Sequence, residues 1–280
     1  MSFLFVLSSL AELTHDGSLS SLVARTLAGA AIAGVVVFIA RRQRTLSPSG
    51  AAAGFVTGVI CTAAGWSWAI LLVTLFVSAN ALSRYHRATK AALLDDMVAK
   101  GGERDAWQVA ANGGVFTIAA VASLVHPSPI WLPVAAGAIA ASTADTWATE
   151  IGTLAEHPPK LVTTGEPVPP GTSGGVTWIG SFAGLAGGAF IGILALLLGW
   201  GADAGWAAVA GGVAGSLVDS LAGATVQRRQ WCQQCEKPTE RLVHRCGTTT
   251  RPQRGIRWVD NDVVNGISSL TGAVVGLLWL

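Results

Sequence analysis

Trp107-Gln-Val-Ala-Ala-Asn-Gly-Gly-Val-Phe-Thr-Ile-Ala-Ala-Val-Ala-Ser-Leu-Val125, His126-Pro-Ser-Pro129 and Ile130-Trp-Leu-Pro-Val-Ala-Ala-Gly-Ala-Ile-Ala-Ala-Ser-Thr-Ala144 form one passage, in which a four-residue break splits two uncharged, largely apolar runs. Roughly 20 such residues suffice for a helix to cross a bilayer, and shorter runs serve as well. The passage therefore reads as a transmembrane helical hairpin. The same unit recurs on either side. Two apolar stretches lie between Gly50 and Leu82, broken at Gly65-Trp66, and two more run from Val176 to Leu198 and from Trp206 to Val226, split by Gly199 to Gly205. Single runs from Thr26 to Ala40 and from Val263 to Leu280 flank the pairs. The expected fold is an all-α, polytopic membrane protein of about eight transmembrane helices, mostly hairpins. The run from Gly50 to Thr62 is short, which leaves it tilted, broken or re-entrant.

Composition agrees. Of 280 residues 51% are hydrophobic and only 12% charged, about half the charge of an ordinary soluble domain, and the mean hydropathy is +0.52. A disordered tail, a collagen-like repeat and the usual water-soluble enzyme are thereby excluded. The net charge of +2 is too small to argue for a nucleic-acid partner. Position carries more than number. Basic residues fall in the loops before, between and after the pairs: Arg41 to Arg44, Arg84 to Arg104, Lys160, and Arg228 to Arg257. Because each intervening unit is a pair, these loops share one face, and only Arg25 of the 18 Lys and Arg residues lies elsewhere. The positive-inside rule makes that face cytoplasmic, with both termini outside and the protein in the cytoplasmic (inner) membrane. Met1 to Leu13 is apolar but lacks a basic leader, so it reads as an interfacial helix or an extra span and not as a cleaved signal. Residues 1–280 are expected to form one integral membrane domain, with 227–258 as a cytoplasmic Cys/His loop within it.

Ionisable groups within or at the ends of spans are costly, which makes them functional candidates. Four acids stand out: Asp145, Glu150, Asp219 and Asp262. Asp145 and Thr149 share a helical face at i,i+4, with Glu150 roughly 140° around, and a break near Gly152 would still turn both carboxylates to one cavity. Asp219 has Ser216 and Gly223 on its own face. Asn261-Asp262-x-x-Asn265 opens the last helix. The functional reading is a polar cluster at the cytoplasmic ends of several spans, binding Mg²⁺ through Asp145, Asp219 and Asp262. The alternative, strongest for Asn261 and Asp262, is helix capping.

Two loops add candidate phosphate ligands. Pro169-Pro-Gly-Thr-Ser-Gly-Gly175, with Gly171, Thr172 and Ser173, leads toward a helix from Val176 and suits phosphate cradled on backbone N–H groups, with Lys160 as a point charge. A plain loop-to-helix turn is the competing reading. In the other loop, Arg84, Lys90 and Arg104 suit anionic groups, although positive-inside anchoring also accounts for such residues. Gln108 and Asn112 enter an apolar span one turn apart, as a polar stripe facing the bundle.

Three of the four cysteines cluster: Cys232-x-x-Cys235, then His244-x-Cys246. Two chelating pairs of soft ligands suit a tetrahedral, structural Zn²⁺ site, and a reducing cytoplasm disfavours disulfides. A redox Cys pair, or a three-Cys site with His244 as spectator, are the alternatives. Cys61 reads as a small core hydrophobe.

Asp145-Thr with Glu150-Ile-Gly152, Leu161-Val-Thr-Thr164, Val168-Pro-x-Gly-Thr172 and Asn261-Asp-x-Val-Asn265 resemble the phytyl-phosphate kinase family of tocopherol biosynthesis and its integral membrane relatives. The segment from Lys100 to Gln108 and the Cys/His loop look like bacterial members. The resemblance covers most of the chain from about Ala51 onward. It implies phosphorylation of an isoprenyl monophosphate to the diphosphate by a nucleoside triphosphate such as CTP with Mg²⁺, in contact with membrane lipid. Competing readings are a lipid or small-molecule transporter or flippase, and a non-catalytic membrane assembly factor that uses the zinc loop.

Overall fold

The computed structural model describes residues 19–94, 97, 99 and 102–279; the apolar start, Met1 to Leu13, and Lys100 lie outside the described residues. Nine α-helices occur among them: α1 (Leu19–Arg42), α2 (Pro48–Ala64), α3 (Trp66–Arg84), α4 (Arg87–Leu94), α5 (Ala106–Val125), α6 (Trp131–Gly152), α7 (Trp178–Leu197), α8 (Gly201–Thr225) and α9 (Asn261–Gly276), the last running into a 3₁₀ turn at Leu277–Trp279. The first two hairpin breaks fall where the sequence places them, while the third is shorter than expected from Gly199 to Gly205, since α8 already begins at Gly201. The turn from α2 to α3 is Gly65 alone, at φ 155° and ψ 158°, a combination essentially confined to glycine. The run from Gly50 to Thr62 is one unbroken helix. The helix expected from Val176 begins instead at Trp178, because Gly175–Val176 (β2) pairs antiparallel with Lys160–Leu161 (β1).

The described chain is mostly helical, and besides the β1–β2 pair a larger sheet departs from the all-α expectation. Residues 229–254 of the Cys/His loop form a three-stranded antiparallel sheet of β3 (Arg229–Cys232), β4 (Lys237–Thr239) and β5 (Arg251–Arg254) in the order β4-β3-β5. In β3 alternate residues, Gln230 and Cys232, are buried, the period-2 pattern of a half-buried strand.

Among the described residues, six helices are long and apolar enough to cross a membrane: Ser20–Arg42, α3, α5, α7, α8 and Asn261–Trp279. The expectation of about eight spans also counted α2, which is apolar but 17 residues long, and α6, which is not among the six. The composition of α6 has a physical reason. It is enclosed by α3, α5, α7, α8 and α9, and Pro133 to Ala144 are buried without interruption. A helix surrounded by protein needs small residues for close approach more than it needs lipophilic ones. α1, by contrast, packs mainly on α2 and exposes Val23, Leu27, Val35 and Phe38, as a lipid-facing helix does.

Alternating helix directions bring the starts of α2, α5, α7 and α9 to one end of the bundle, together with the ends of α1, α3, α6 and α8. The loops at that end are tied together. Arg104 N–H donates to the Thr45 carbonyl at 2.9 Å and Ser47 N–H donates to the Arg104 carbonyl at 3.0 Å. Arg84 reaches Gln43 at 2.6 Å. Side-chain caps start the helices there: Ser47 on α2, an Asp105/Gln108 capping box on α5 and Thr177 on α7. Away from that end, Trp68 packs on Trp200 with ring centroids 4.8 Å apart and on Phe116 at 5.3 Å, filling the core with aromatic rings.

Candidate functional site

Two helix faces decide the site. On α6, Gly137, Ala141 and Asp145 recur every four residues; on α8, Gly211, Gly215 and Asp219 do the same. These faces meet. A Cβ placed on Gly211 would lie 2.8 Å from Gly137 Cα, and one on Gly215 would run into Ala141. With backbones this close, the next turn sets the carboxyls side by side, and Asp145 and Asp219 share a side-chain hydrogen bond. The second oxygen of Asp219, Oδ2, is buried without a hydrogen-bond partner among the described residues. Two paired acids with an unsatisfied buried oxygen fit a bound cation: carboxylate oxygens are what a hard divalent ion takes, and a cation offsets their mutual repulsion.

The pair lines a cavity of about 980 Å³ at the loop-rich end. Around it stand Glu150, Asp262, Ser216, Asn261 and Asn265, the loop residues Gly171, Thr172 and Ser173, and Arg84, Lys90, Arg104, Gln108 and Asn112. Of the acids and phosphate ligands expected from the sequence, Lys160 alone is not brought there; it sits exposed in β1. The acids nevertheless differ in what holds them. α6 continues through Gly152, with no break, so Glu150 reaches the cavity on a different side from Asp145. Lys90 Nζ lies 2.6 Å from Glu150 Oε2, and Ser83 donates to the other oxygen. Glu150 is thus committed to an ion pair, while Asp145 faces Asp219. Nearby, burial pulls the Arg104 pKa down and the Glu150 charge pushes it back up.

At the start of α9 the cap is Asp260, whose carboxylate accepts from the N–H groups of Asp262 at 3.1 Å and Val263 at 3.2 Å. The capping role that the sequence reading held open for Asn261 and Asp262 therefore belongs to their neighbour. In the Gly-rich turn, Ser173 donates to Glu240 of the Cys/His loop, and Gln227 donates to the same carboxylate at 2.8 Å. Thr172 Oγ1 is buried without a hydrogen-bond partner among the described residues. A Cβ on Gly174, at φ +81°, would run into Ala224, so the turn needs glycine to lie against the end of α8.

Sequence reasoning missed several residues of this cavity. Glu240 lines it and its charge acts on Asp219; burial raises its pKa, opposed by the Ser173 hydrogen bond and by Arg228 and Arg229. Arg228, Arg241 and Arg245 line it too. Their only sequence signal was membership of a basic loop, which anchoring already explained.

A second, apolar cavity of about 150 Å³ lies among α1, α2, α3 and α5, lined by Ile32, Val36, Leu72 and Phe76 among others. Arg104, Gln108, Asn112 and Thr146 belong to both cavities, so the polar one adjoins an apolar one.

The Cys/His cluster is formed. The ligand atoms of Cys232, Cys235, His244 and Cys246 all lie within 4.8 Å of one another, with Cys232 Sγ 3.6 Å and His244 Nδ1 3.3 Å from Cys246 Sγ. A tetrahedral zinc, with bonds of about 2.0–2.3 Å, sets its ligands roughly 3.5–3.8 Å apart, so the group can hold a metal ion. The thiols differ. Hydrogen bonding with Thr248, then with His244, pulls Cys246 down to about 6. Cys235 is pushed up to about 11, first by its hydrogen bond with Cys246. All four cysteines are free, and Cys61 is buried against Thr117 as a core residue.

Known proteins resemble this chain along most of its length. Protein PGR of Arabidopsis thaliana is 30% identical over 265 residues, covering 85% of this chain and 90% of that one. The uncharacterized membrane proteins MJ0933 of Methanocaldococcus jannaschii and sll0875 of Synechocystis are each 28% identical, covering 87% and 84% of this chain and 90% and 83% of theirs. No solved structure matches. Residues 31–273 match the family described as integral membrane protein DUF92. The chain belongs to that family of integral membrane proteins.

Proposed function

We propose that this protein is a membrane-embedded kinase that converts an isoprenyl monophosphate to the diphosphate, using a nucleoside triphosphate such as CTP. One observation carries the reading: the paired Asp145 and Asp219 carboxyls sit in a cation-lined polar cavity that adjoins an apolar one through shared residues. A phosphate head with a long apolar tail needs that juxtaposition. Helix N-termini add to it, since Thr177 and Gly180 of α7 and Asp260 and Asn261 of α9 line the cavity, and such ends favour anions. Similarity of the sequence motifs to the phytyl-phosphate kinase family points the same way.

In this reading an oxygen of the lipid monophosphate attacks the γ-phosphorus of the nucleotide. The bond from that phosphorus to the β-bridging oxygen breaks, and the nucleoside diphosphate leaves. The acceptor is already anionic, so positioning and electrostatics suffice without a strong base. Asp145, Asp219 and Asp262 would hold Mg²⁺, which neutralises phosphate charge and aligns the two groups. Lys90 and Arg104 orient the lipid phosphate, with Gln108 and Asn112 at the mouth of the apolar cavity. The Cys/His site holds zinc in a structural role, because four protein ligands leave no open position. The cavity faces the cytoplasm of a cytoplasmic membrane.

The test is direct. Purified protein with a C20 prenyl monophosphate, CTP and Mg²⁺ is expected to yield the diphosphate, and Asp145→Asn or Asp219→Asn to abolish turnover. Activity unaffected by both substitutions would remove the carboxyl pair from the mechanism. Substrate movement across proteoliposomes without nucleotide consumption would replace the kinase with a transporter.

A further inference from the structure

We infer that the cavity has two separate cationic walls, and that the one on the Cys/His loop, Arg228, Arg241 and Arg245, takes the polyphosphate of the nucleotide and is set in place by the metal in that loop. This rests on the kinase reading and assigns its second substrate to residues.

Besides Arg44, in the turn before α2, the cations of the cavity come from two parts of the chain. Arg84, Lys90 and Arg104 belong to the segment from α3 to α5; Arg104 also borders the apolar cavity, and Lys90 already carries a carboxylate partner in Glu150. That wall suits one phosphate on a lipid tail. Arg228, Arg241 and Arg245 come from the segment between α8 and α9 and do not line the apolar cavity.

Their surroundings show what this second wall lacks. The Nε atoms of Arg228 and Arg241 are buried without a hydrogen-bond partner among the described residues. A buried donor left unsatisfied is costly, and an anionic oxygen relieves the cost. Guanidinium forks bind phosphate through paired N–H groups, and a triphosphate offers enough oxygens for several of them.

The loop also fixes the wall relative to the carboxyl pair. Glu240, next to Arg241, is held by Ser173 and Gln227, and its N–H donates to the Met97 carbonyl at 2.8 Å. Thr250 donates through its hydroxyl to the Arg241 carbonyl at 2.6 Å. Arg245 lies between His244 and Cys246, two of the four candidate metal ligands. Closing those ligands around an ion fixes the backbone on both sides of Arg245 and holds the end of the segment that begins at Arg241. A metal held by these four residues would thereby affect binding without touching substrate.

Calorimetry on the full-length protein in zwitterionic nanodiscs tests this, with inorganic tripolyphosphate and a C20 prenyl monophosphate as separate probes. Arg241→Gln and Arg245→Gln are expected to weaken tripolyphosphate at least tenfold and to change the prenyl monophosphate less than twofold. Arg84→Gln is expected to do the reverse. Removing the metal from wild type with a chelator should reproduce the arginine variants, and reloading should restore binding, so that folding of a cysteine variant is not at issue. Arg251→Gln, on exposed β5 and outside the cavity, is the control. Absent tripolyphosphate binding by wild type, or equal binding by the Arg241 and Arg245 variants, would overturn the wall. Binding that survives chelation would overturn the metal's part in it. Either result leaves the kinase reading to its own turnover assay, and a failed turnover assay leaves the arginine effect measurable.

Discussion

Asp145 and Glu150 lie five residues apart on one helix yet meet different partners, and the difference sorts their roles. Asp145 has another acid opposite it, a pairing that gains nothing unless a cation or proton is shared. Glu150 has Lys90 at 2.6 Å, the two side chains only 20% and 7% exposed. Removing one partner of such a pair strands the other charge, at a cost on the order of 3–5 kcal/mol. Lys90→Met is therefore expected to lower the melting temperature in detergent markedly, and the double variant with Glu150→Gln to recover part of the loss. A double variant no more stable than Lys90→Met would remove the ion pair as the cause. At the Cys/His cluster the outcome is read by metal content: wild type should carry about one zinc per chain and Cys232→Ser much less, and equal contents would exclude a site built on Cys232.

At the scale of elements, the contact of α6, α8 and α9 is the feature on which the site depends. A Cβ on Gly272 would run into the Gly137 carbonyl and come within 2.8 Å of Ala141 Cβ. Overpacking of this kind costs about 1–3 kcal/mol. On the same helix a Cβ on Gly266 would meet nothing within 4 Å, where alanine gains roughly 0.8–1 kcal/mol of helix propensity. Gly272→Ala should lower the melting temperature and Gly266→Ala should hold or raise it. Equal effects would mean that the close helix crossing does not carry the stability. Because Asp145 and Asp219 lie one turn beyond Ala141 and Gly215, Gly215→Leu should also abolish activity while leaving both acids in the chain.

For the whole molecule, the alternation of helices collects the basic loops at one end. Arg41 at the end of α1 pairs with Glu103 at 2.9 Å, and Arg254 of the last loop donates to the Gly223 carbonyl at 2.9 Å. If that end is cytoplasmic, a single cysteine placed at exposed Arg251 in a variant lacking the native cysteines should be labelled by an impermeant maleimide only after the membrane is opened. Labelling in intact cells would reverse the orientation.

The hairpins were legible in the sequence because lipid imposes a long uncharged run on every exposed helix, and Gly65 and His126 to Pro129 interrupt such runs visibly. The metal cluster was legible because its ligands are close in the chain. Even the faces that join Asp145 to Asp219 are written there, as Gly137-x-x-x-Ala141-x-x-x-Asp145 and Gly211-x-x-x-Gly215-x-x-x-Asp219, once the two helices are known to be neighbours. Which helices are neighbours is a matter of packing. Tertiary structure alone decided that Glu150 turns to Lys90, that Asp260 and not Asp262 caps α9, that Lys160 stays outside, and that Glu240 and three arginines of the Cys/His loop line the same cavity as the carboxyls. Hydropathy and short-range ligand spacing are local properties that each segment carries by itself. The pairing of charges across a cavity depends on the crossing of helices far apart in the chain, set by how closely their small residues let the backbones approach.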